Sequence, residues 1–521
     1  MIKVLSPILH PEYISPRVAW DRLKRLIWIT DQARSMGIHI MAGKGTGKSR
    51  LMGRVIAWLD FIRGVAQVIF DPHGLTIDNF LDKLIRLPRE IQEKLWRRVV
   101  YVDMSGKSGY VVPFPLFFQL GDESLYEISQ RYLDVIRKID PYLQTASIEG
   151  WNALWRVGTH VGMVLAAKHY QITEAESMVL NTRIWEEKMR CCASENADIF
   201  SSVEYLIHLS NEKESIRTRK LESFLNKVAL FSLDPSMKAM FGADQPGIDW
   251  KEIERKRQTV LLDFRHEQDV ERRRFKMVWA FTYLLDYIKK RGAGRHQPIG
   301  LIIDELTSLF SLQALSNELF GAELDELINI IARNYRLWLT IAHQEMFQLT
   351  ERIYKSLMTM GTQILGVTTD PMSAKMMAEL FNTYNPYLVK KYEPIYGSCM
   401  GMPVLLNFNT VEFTIDEQLL LKSYAFRDQN RFRFMVRPAP SEGDIQANIR
   451  PMTIERFDRG KYPHRVFVPL ARRLLSERTG VKIQVILEEI SKRIPAGYTP
   501  LLHSKTSDTG EIEKKDIPIW D

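Results

Sequence analysis

Apolar and polar positions follow a strand–helix–strand grammar over the first hundred residues. Gly37-Ile38-His39-Ile40-Met41 is a short apolar run. Ala66-Gln67-Val68-Ile69-Phe70-Asp71 and Arg98-Val99-Val100-Tyr101-Val102-Asp103 repeat it, each separated by a stretch with helical spacing. Near-continuous apolar strands joined by helices predict an α/β fold with a mostly parallel sheet covered on both faces. From about Ser124 to Leu233 the pattern turns helical, rich in Trp, Leu and Met, and predicts an inserted all-α region. Sheet patterning resumes at 258–264, 298–304, 337–342 and 362–367, and shorter runs between Met402 and Val436 predict a terminal hairpin. The expected organisation is an N-terminal segment (1–35), a sheet domain (36–123 and 234–440), an inserted all-α domain (124–233) and a C-terminal extension (441–521).

A chain of 521 residues is too long for one small core, and two or three lobes are expected. Three cysteines (Cys191, Cys192, Cys399) fit neither a disulfide framework nor a zinc site, which points to a reducing compartment. The most apolar candidate for a membrane span, Trp151 to Ala167, is interrupted by Asn152, Arg156 and His160 and reads as a buried helix. The N-terminus lacks the apolar core of a signal peptide, so a cytoplasmic protein is expected, with any attachment to the inner membrane made through a partner. Net charge is +8, but the stretch from Arg450 to Lys482 holds nine Lys/Arg against three Asp/Glu, a local +6.

The chemistry centres on Ala42-Gly43-Lys44-Gly45-Thr46-Gly47-Lys48-Ser49, which follows an apolar strand and leads into a helical pattern from Arg50. That context makes it a P-loop, with Ala42 in place of the usual first glycine. Glycines let backbone N–H groups curl around phosphates, and the helix N-terminus adds partial positive charge. Residues Gly43 to Arg50 are the expected ATP-binding set. Lys48 reaches the β- and γ-phosphates, and the Ser49 hydroxyl ligates Mg²⁺.

Gly300-Leu301-Ile302-Ile303-Asp304-Glu305 is an apolar strand ending in two carboxylates. Paired with a P-loop, Asp304 is the expected Mg²⁺ partner and Glu305 the group that polarises the attacking water. Arg333 lies off the apolar stripe of a helix over 324–335, where composition alone makes it a solvated cation favoured by the helix dipole. Its alternative is an arginine finger for a neighbouring subunit. Gln344 closes the strand at 337–342 and can sense the γ-phosphate or cap a loop.

Taken in order, Ala42 to Ser49, Asp71-Pro72-His73-Gly74, Ile302-Ile303-Asp304-Glu305, Ala332-Arg333-Asn334-Tyr335 and Ala342-His343-Gln344 resemble the HerA/FtsK superfamily of ring-forming DNA translocases. Within it the chain is most similar to conjugative coupling ATPases of the TraG/TraD type and to HerA-like relatives. The resemblance covers roughly residues 35–440 and implies a RecA-like P-loop ATPase domain, a homohexamer, and duplex DNA in a central channel. It implies the arginine finger for Arg333 and the sensor for Gln344, eleven positions later (344 minus 333). Asp71 has no implied role beyond a strand-end turn.

The resemblance predicts an ATP-driven DNA translocase in plasmid or mobile-element transfer. The alternatives are a nucleotide-switched platform that recruits a relaxase, nuclease or other mobile-element protein through the helical insertion, and a protein-secretion ATPase. Arg265-His266, Arg272-Arg273-Arg274 and Lys289-Lys290-Arg291 are candidate DNA contacts or solvated faces. The segment 470–493 has the spacing of a helix-turn-helix, with Leu475, Val481 and Ile486 as its expected buried positions. Docking on a partner and plain packing are its other readings.

Overall fold

The computed structural model describes residues 13–14, 29–139, 148–294, 296–309, 318–344, 349–381, 384–399, 401–439, 450–454 and 464–494. Residues 495–521 of the expected C-terminal extension and most of the segment 1–35 lie outside these residues. Seven strands form the parallel body of one sheet: β1 (Ile38–Met41), β2 (Ala66–Asp71), β3 (Val99–Asp103), β4 (Thr259–Asp263), β5 (Ile299–Asp304), β6 (Leu337–His343) and β7 (Thr362–Gly366). Each was legible as an apolar run, because strands buried on both faces have no polar side to show. β8 (Val389–Cys399) and β9 (Met402–Glu412) pair as a separate hairpin. β10 (Arg433–Arg437) and β11 (Arg450–Thr453) add two antiparallel strands to the sheet. The single hairpin expected between 402 and 436 is therefore divided between two sheets.

Across the nine-stranded sheet the order is β11-β10-β7-β1-β6-β5-β2-β4-β3. β6 lies between β1 and β5, in parallel register with both. One face is covered by the helix that follows β1 and by the helix Leu75–Ile85, around Phe61, Phe80 and Phe434. The other is covered by the helix Val270–Arg291 and by the helices described between Leu125 and Gly242. These helices contain no strand, as expected, but they do not enclose a core of their own. Leu154, Trp185 and Phe231 join Val68 and Phe70 of β2 in one continuous apolar cluster. The helix Ile148–Ala167 buries Leu154, Val157, Val161 and Leu165 and leaves Asn152 and Arg156 exposed, which accounts for the polar interruptions. Among the described residues no helix is long and apolar enough to cross a membrane.

The two helices of the C-terminal segment pack on different parts of the chain, which corrects the helix-turn-helix reading. The helix His464–Thr479 lies on β3 and the helix Leu75–Ile85, with Leu475 buried, and the Thr479 hydroxyl donates to Tyr101 O at 2.6 Å. Val481–Lys482 pairs with Tyr110–Val111. The helix Ile483–Arg493 lies on the helix Pro235–Gly242, burying Ile486 and Ile490, and Arg493 meets Glu174 at 2.8 Å. Val481, expected in the interior, is 42% exposed because its strand pairs at an open edge.

The helix after β1 runs as Lys48–Leu51, a π-helical turn Met52–Ala57, and Trp58–Arg63. Gly53 sits in the π turn against the start of the helix Leu75–Ile85, where a Cβ would come 2.2 Å from Thr76 O and 3.2 Å from Phe80 N. Both obstacles are backbone, so neither yields by a rotamer change. Gly53→Ala is expected to destabilise the protein by about 2–3 kcal/mol, read as a lower urea midpoint; an unchanged midpoint would contradict this helix contact.

Candidate nucleotide site at the carboxyl edge of the sheet

The P-loop leaves β1 and turns through two left-handed glycines, Gly45 (φ +74°) and Gly47 (φ +107°), a region that costs a residue with a Cβ. Gly43 N donates to Val367 O at 2.8 Å, anchoring the loop to the end of β7, and Thr46 Oγ1 donates back to Gly43 O at 2.8 Å. Phe432 N donates to Thr46 O at 2.9 Å. The Phe432 ring occupies the space beside Gly47, where a Cβ would lie 2.5 Å from it, and the Arg50 guanidinium sits 4.8 Å from the ring centroid. Lys44 and Gly45 are exposed, and Lys48 is buried.

Glu305 is the hub of the site. Its Oε2 accepts from Lys48 Nζ at 3.2 Å and from Gln344 Nε2 at 2.5 Å, and its Oε1 accepts from Thr307 Oγ1 at 2.7 Å. The strand order explains the meeting, since Gln344 leaves β6 between the P-loop strand and the strand that ends at Asp304. Glu305 itself has φ +73°, a left-handed conformation worth about 1 kcal/mol or more of strain for a residue with a Cβ. Asp304 accepts at 2.7 Å from the hydroxyl of Thr76, which also reaches Ser49 O at 3.4 Å. Thr76 thus ties together the two expected Mg²⁺ partners. It lies two residues beyond the Asp71-Pro72-His73-Gly74 phrase, which gave it no role of its own.

No protein-family model matches the chain, and no curated protein matches it. Solved structures do. The bacterial conjugative coupling protein TrwBdeltaN70, in its unbound monoclinic form, aligns over 89% of this chain and 93% of its own at 15% identity, with a TM-score of 0.52. VirB4 of Thermoanaerobacter pseudethanolicus aligns over 86% of this chain and 97% of its own at 13% identity, with a TM-score of 0.51. The chain has a RecA-like P-loop ATPase fold.

In this RecA-like sheet four neighbouring strands end in aspartate. Asp304 closes β5, Asp71 closes β2, and Asp263 and Asp103 follow, with Asp71, Asp263 and Asp103 in direct register. Asp71 closes the Asp-Pro-His-Gly turn, as expected, by accepting from the backbone N–H of His73, Gly74 and Ile77. Burial pushes its carboxyl up to about 7, and the charges of Asp304 and Asp263 add to the effect. Arg265 pairs with Asp263 and Asp78, and Arg472 from the C-terminal helix pairs with Asp78. The four strand-end aspartates were visible in the sequence, but only strand order makes them a row.

The same fold separates Arg333 from this cluster. It is exposed and precedes the start of β6, whereas Gln344 follows the end of that strand. Seven residues of strand put the two about 20 Å apart along β6. The finger assigned to Arg333 therefore belongs to another copy's site or to none.

Five of the candidate DNA-contacting cations are engaged in ion pairs, with Arg265 and Arg291 largely covered and Lys289 and Lys290 exposed. Arg265 is engaged as above, Arg272 pairs with Asp234 at 2.6 Å, Lys289 with Glu326 at 3.6 Å, Lys290 with Glu123, and Arg291 with Glu254 at 3.0 Å. Their helix carries them past acidic neighbours distant in sequence, so the run of cations gave no view of their partners.

A buried polar relay lies beneath the P-loop. Gln363 Nε2 donates to Leu357 O and Met360 O, so its Oε1 accepts from His39 Nδ1. His39 Nε2 is then an acceptor for His343 Nε2, 2.7 Å away. Burial lowers the His39 imidazole to about 4, against the opposing bond from Gln363. Unfolded, it titrates near 6.5, so between these values the unfolded chain holds a proton that the folded chain refuses. The stability this contributes is complete above about pH 6.5 and is lost as pH falls toward 4. Between pH 7 and pH 5, His39→Gln is expected to lose about 2 kcal/mol less stability than the wild type, measured by urea unfolding at both pH values. Equal losses would contradict the lowered His39 imidazole.

Proposed function

We propose that this chain is an ATP hydrolase that works as a ring of identical subunits and moves DNA. One observation carries the reading: Lys48, Asp304, Glu305 and Gln344 converge at one edge of the sheet while Arg333 stands at the other. A site so divided is completed when the amino edge of one subunit meets the carboxyl edge of the next. The likeness in fold to a conjugative coupling protein supports transfer of DNA as the task.

In this mechanism the P-loop N–H groups and the Lys48 ammonium hold the phosphates. Lys48 now rests on Glu305 and must leave it to do so, which frees the carboxylate. Glu305, oriented by Thr307 and Gln344, polarises the attacking water. Gln344 shares that carboxylate and so registers its partner's departure along β6. Arg333 of a neighbour meets the charge that develops on the γ-phosphoryl oxygens, a contribution of about 10³–10⁵ in rate. The donor set fits magnesium: the Asp304 carboxylate is buried at the carboxyl edge, and Thr76 holds it beside Ser49, whose hydroxyl is the expected second ligand. Mg²⁺ would be held by these two residues together with the phosphates and would supply charge neutralisation there.

Glu305→Gln and Arg333→Ala are each expected to lower steady-state turnover at least 100-fold while retaining nucleotide binding. Mixed in equal amounts they should recover part of the wild-type rate, because an intact P-loop site then meets an intact Arg333. Absence of recovery in mixtures that assemble would remove Arg333 from the site.

A second reading, a protein-secretion ATPase, gains support from the ion pairs that already engage Arg265, Arg272, Lys290 and Arg291. Turnover with and without long duplex DNA at two salt concentrations separates the two. Several-fold stimulation that fades at high salt is expected; indifference to DNA would favour protein as the cargo.

A further inference from the structure

The hairpin β8–β9 is about 35 Å long and stands apart from the main sheet. Its cross-strand register sorts its side chains onto two unlike faces. One carries Tyr392, Pro394, Tyr396, Leu405 and Phe408, and the other carries the Lys391–Glu393 ion pair with Asn407, Asn409, Ile395, Val404 and Met402, so the aromatic side chains of the hairpin gather on the first. The first face is open to solvent, with Tyr392 65%, Tyr396 62% and Phe408 52% exposed. A two-stranded ribbon is marginal in water by itself, and an apolar face of this size marks an interaction site.

Its place in the fold selects the occupant. The helix Ile415–Arg427 ends where Phe426 O accepts from Thr368 N, just beyond the carboxyl end of β7. Its start, and the hairpin base closed there by Phe413 N donating to Leu388 O, therefore lie toward the amino edge. That is the edge on which Arg333 stands. At the opposite edge, the helices that follow β2 and β7 expose Leu75 and Met372 in their first turns. Lys390, Lys391, Glu393 and Glu412 sum to zero charge, which gives the hairpin no electrostatic pull on DNA or anionic lipid. Pro394 and Pro403 carry no N–H for an added strand, so the face rather than the edge is the contact.

We propose that the aromatic face of β8–β9 docks on a second copy of this chain, head to tail, and holds Arg333 of one subunit against the nucleotide edge of the next. This rests on the ring reading above. The contact is heterologous, joining unlike patches, and closes into a ring when its rotation permits.

The test uses sedimentation velocity of the full chain with Mg²⁺ and a non-hydrolysable ATP analogue. Two variants are compared with the wild type: Tyr396→Asp with Phe408→Asp, and a shortened hairpin in which an Asn-Gly turn replaces residues 394–408. The wild type is expected to assemble. Both variants should remain monomeric, melt at the wild-type temperature, bind the analogue as the monomeric wild type does, and turn over ATP at least ten-fold more slowly. Variants that assemble like the wild type would overturn the docking proposal and leave the ring reading standing. A wild type that stays monomeric would end the ring reading and this proposal with it. Flotation of the wild type, but not the variants, with phosphatidylethanolamine–phosphatidylglycerol vesicles, when all assemble alike, would assign the face to a membrane instead.

Discussion

Six parallel ladders hold seven strand ends in line, and every chemical group at the nucleotide edge depends on that alignment. Parallel strands are joined by crossovers that return each chain segment to the same starting edge, so loops of like polarity gather at one side. The P-loop, Asp71, Asp263, Glu305 and Gln344 are neighbours for this reason alone. Inserting β6 between β1 and β5 is the decisive detail. It places Gln344 within reach of Glu305, and it sends Arg333 to the far edge with the same strand.

Gathering strand ends also gathers negative charge in a buried place. The row of aspartates is held by backbone N–H groups at Asp71, by the Thr76 hydroxyl at Asp304, and by Arg265 at Asp263. Lys48 neutralises Glu305 in the same manner. Burial pushes the Asp71 carboxyl up to about 7, with the charges of Asp304 and Asp263 adding to the effect.

The helical insertion and the C-terminal helices share the apolar interior of the sheet instead of standing apart from it. Phe231 and Trp185 lie in one cluster with Phe70, and Ile490 fills the space beside Gly242. Arg493 reaches Glu174 in the insertion while Arg472 reaches the acidic row. The two C-terminal helices thus strap two regions together, with Arg472, Arg478 and Arg493 bonded to acceptors on the body of the chain.

By itself the sequence determined the seven parallel strands, the helical insertion, the P-loop with its glycines, and the carboxylate pair at 304–305. These are local signals: a strand buried on both faces must be apolar throughout, and a phosphate cradle must have residues free to adopt positive φ. Arg333 and Gln344 were legible as a spacing, without their geometry. Tertiary structure alone decided the rest. Thr76 at Asp304, Phe432 over Gly47, and His39 against His343 join residues 228 to 385 positions apart. No periodicity encodes such meetings, because they follow from strand order. The ion pairing of the basic clusters, the exposure of Val481 and the splitting of the expected hairpin have the same cause: which partner a side chain finds is settled by the whole sheet, after local propensity has settled its backbone.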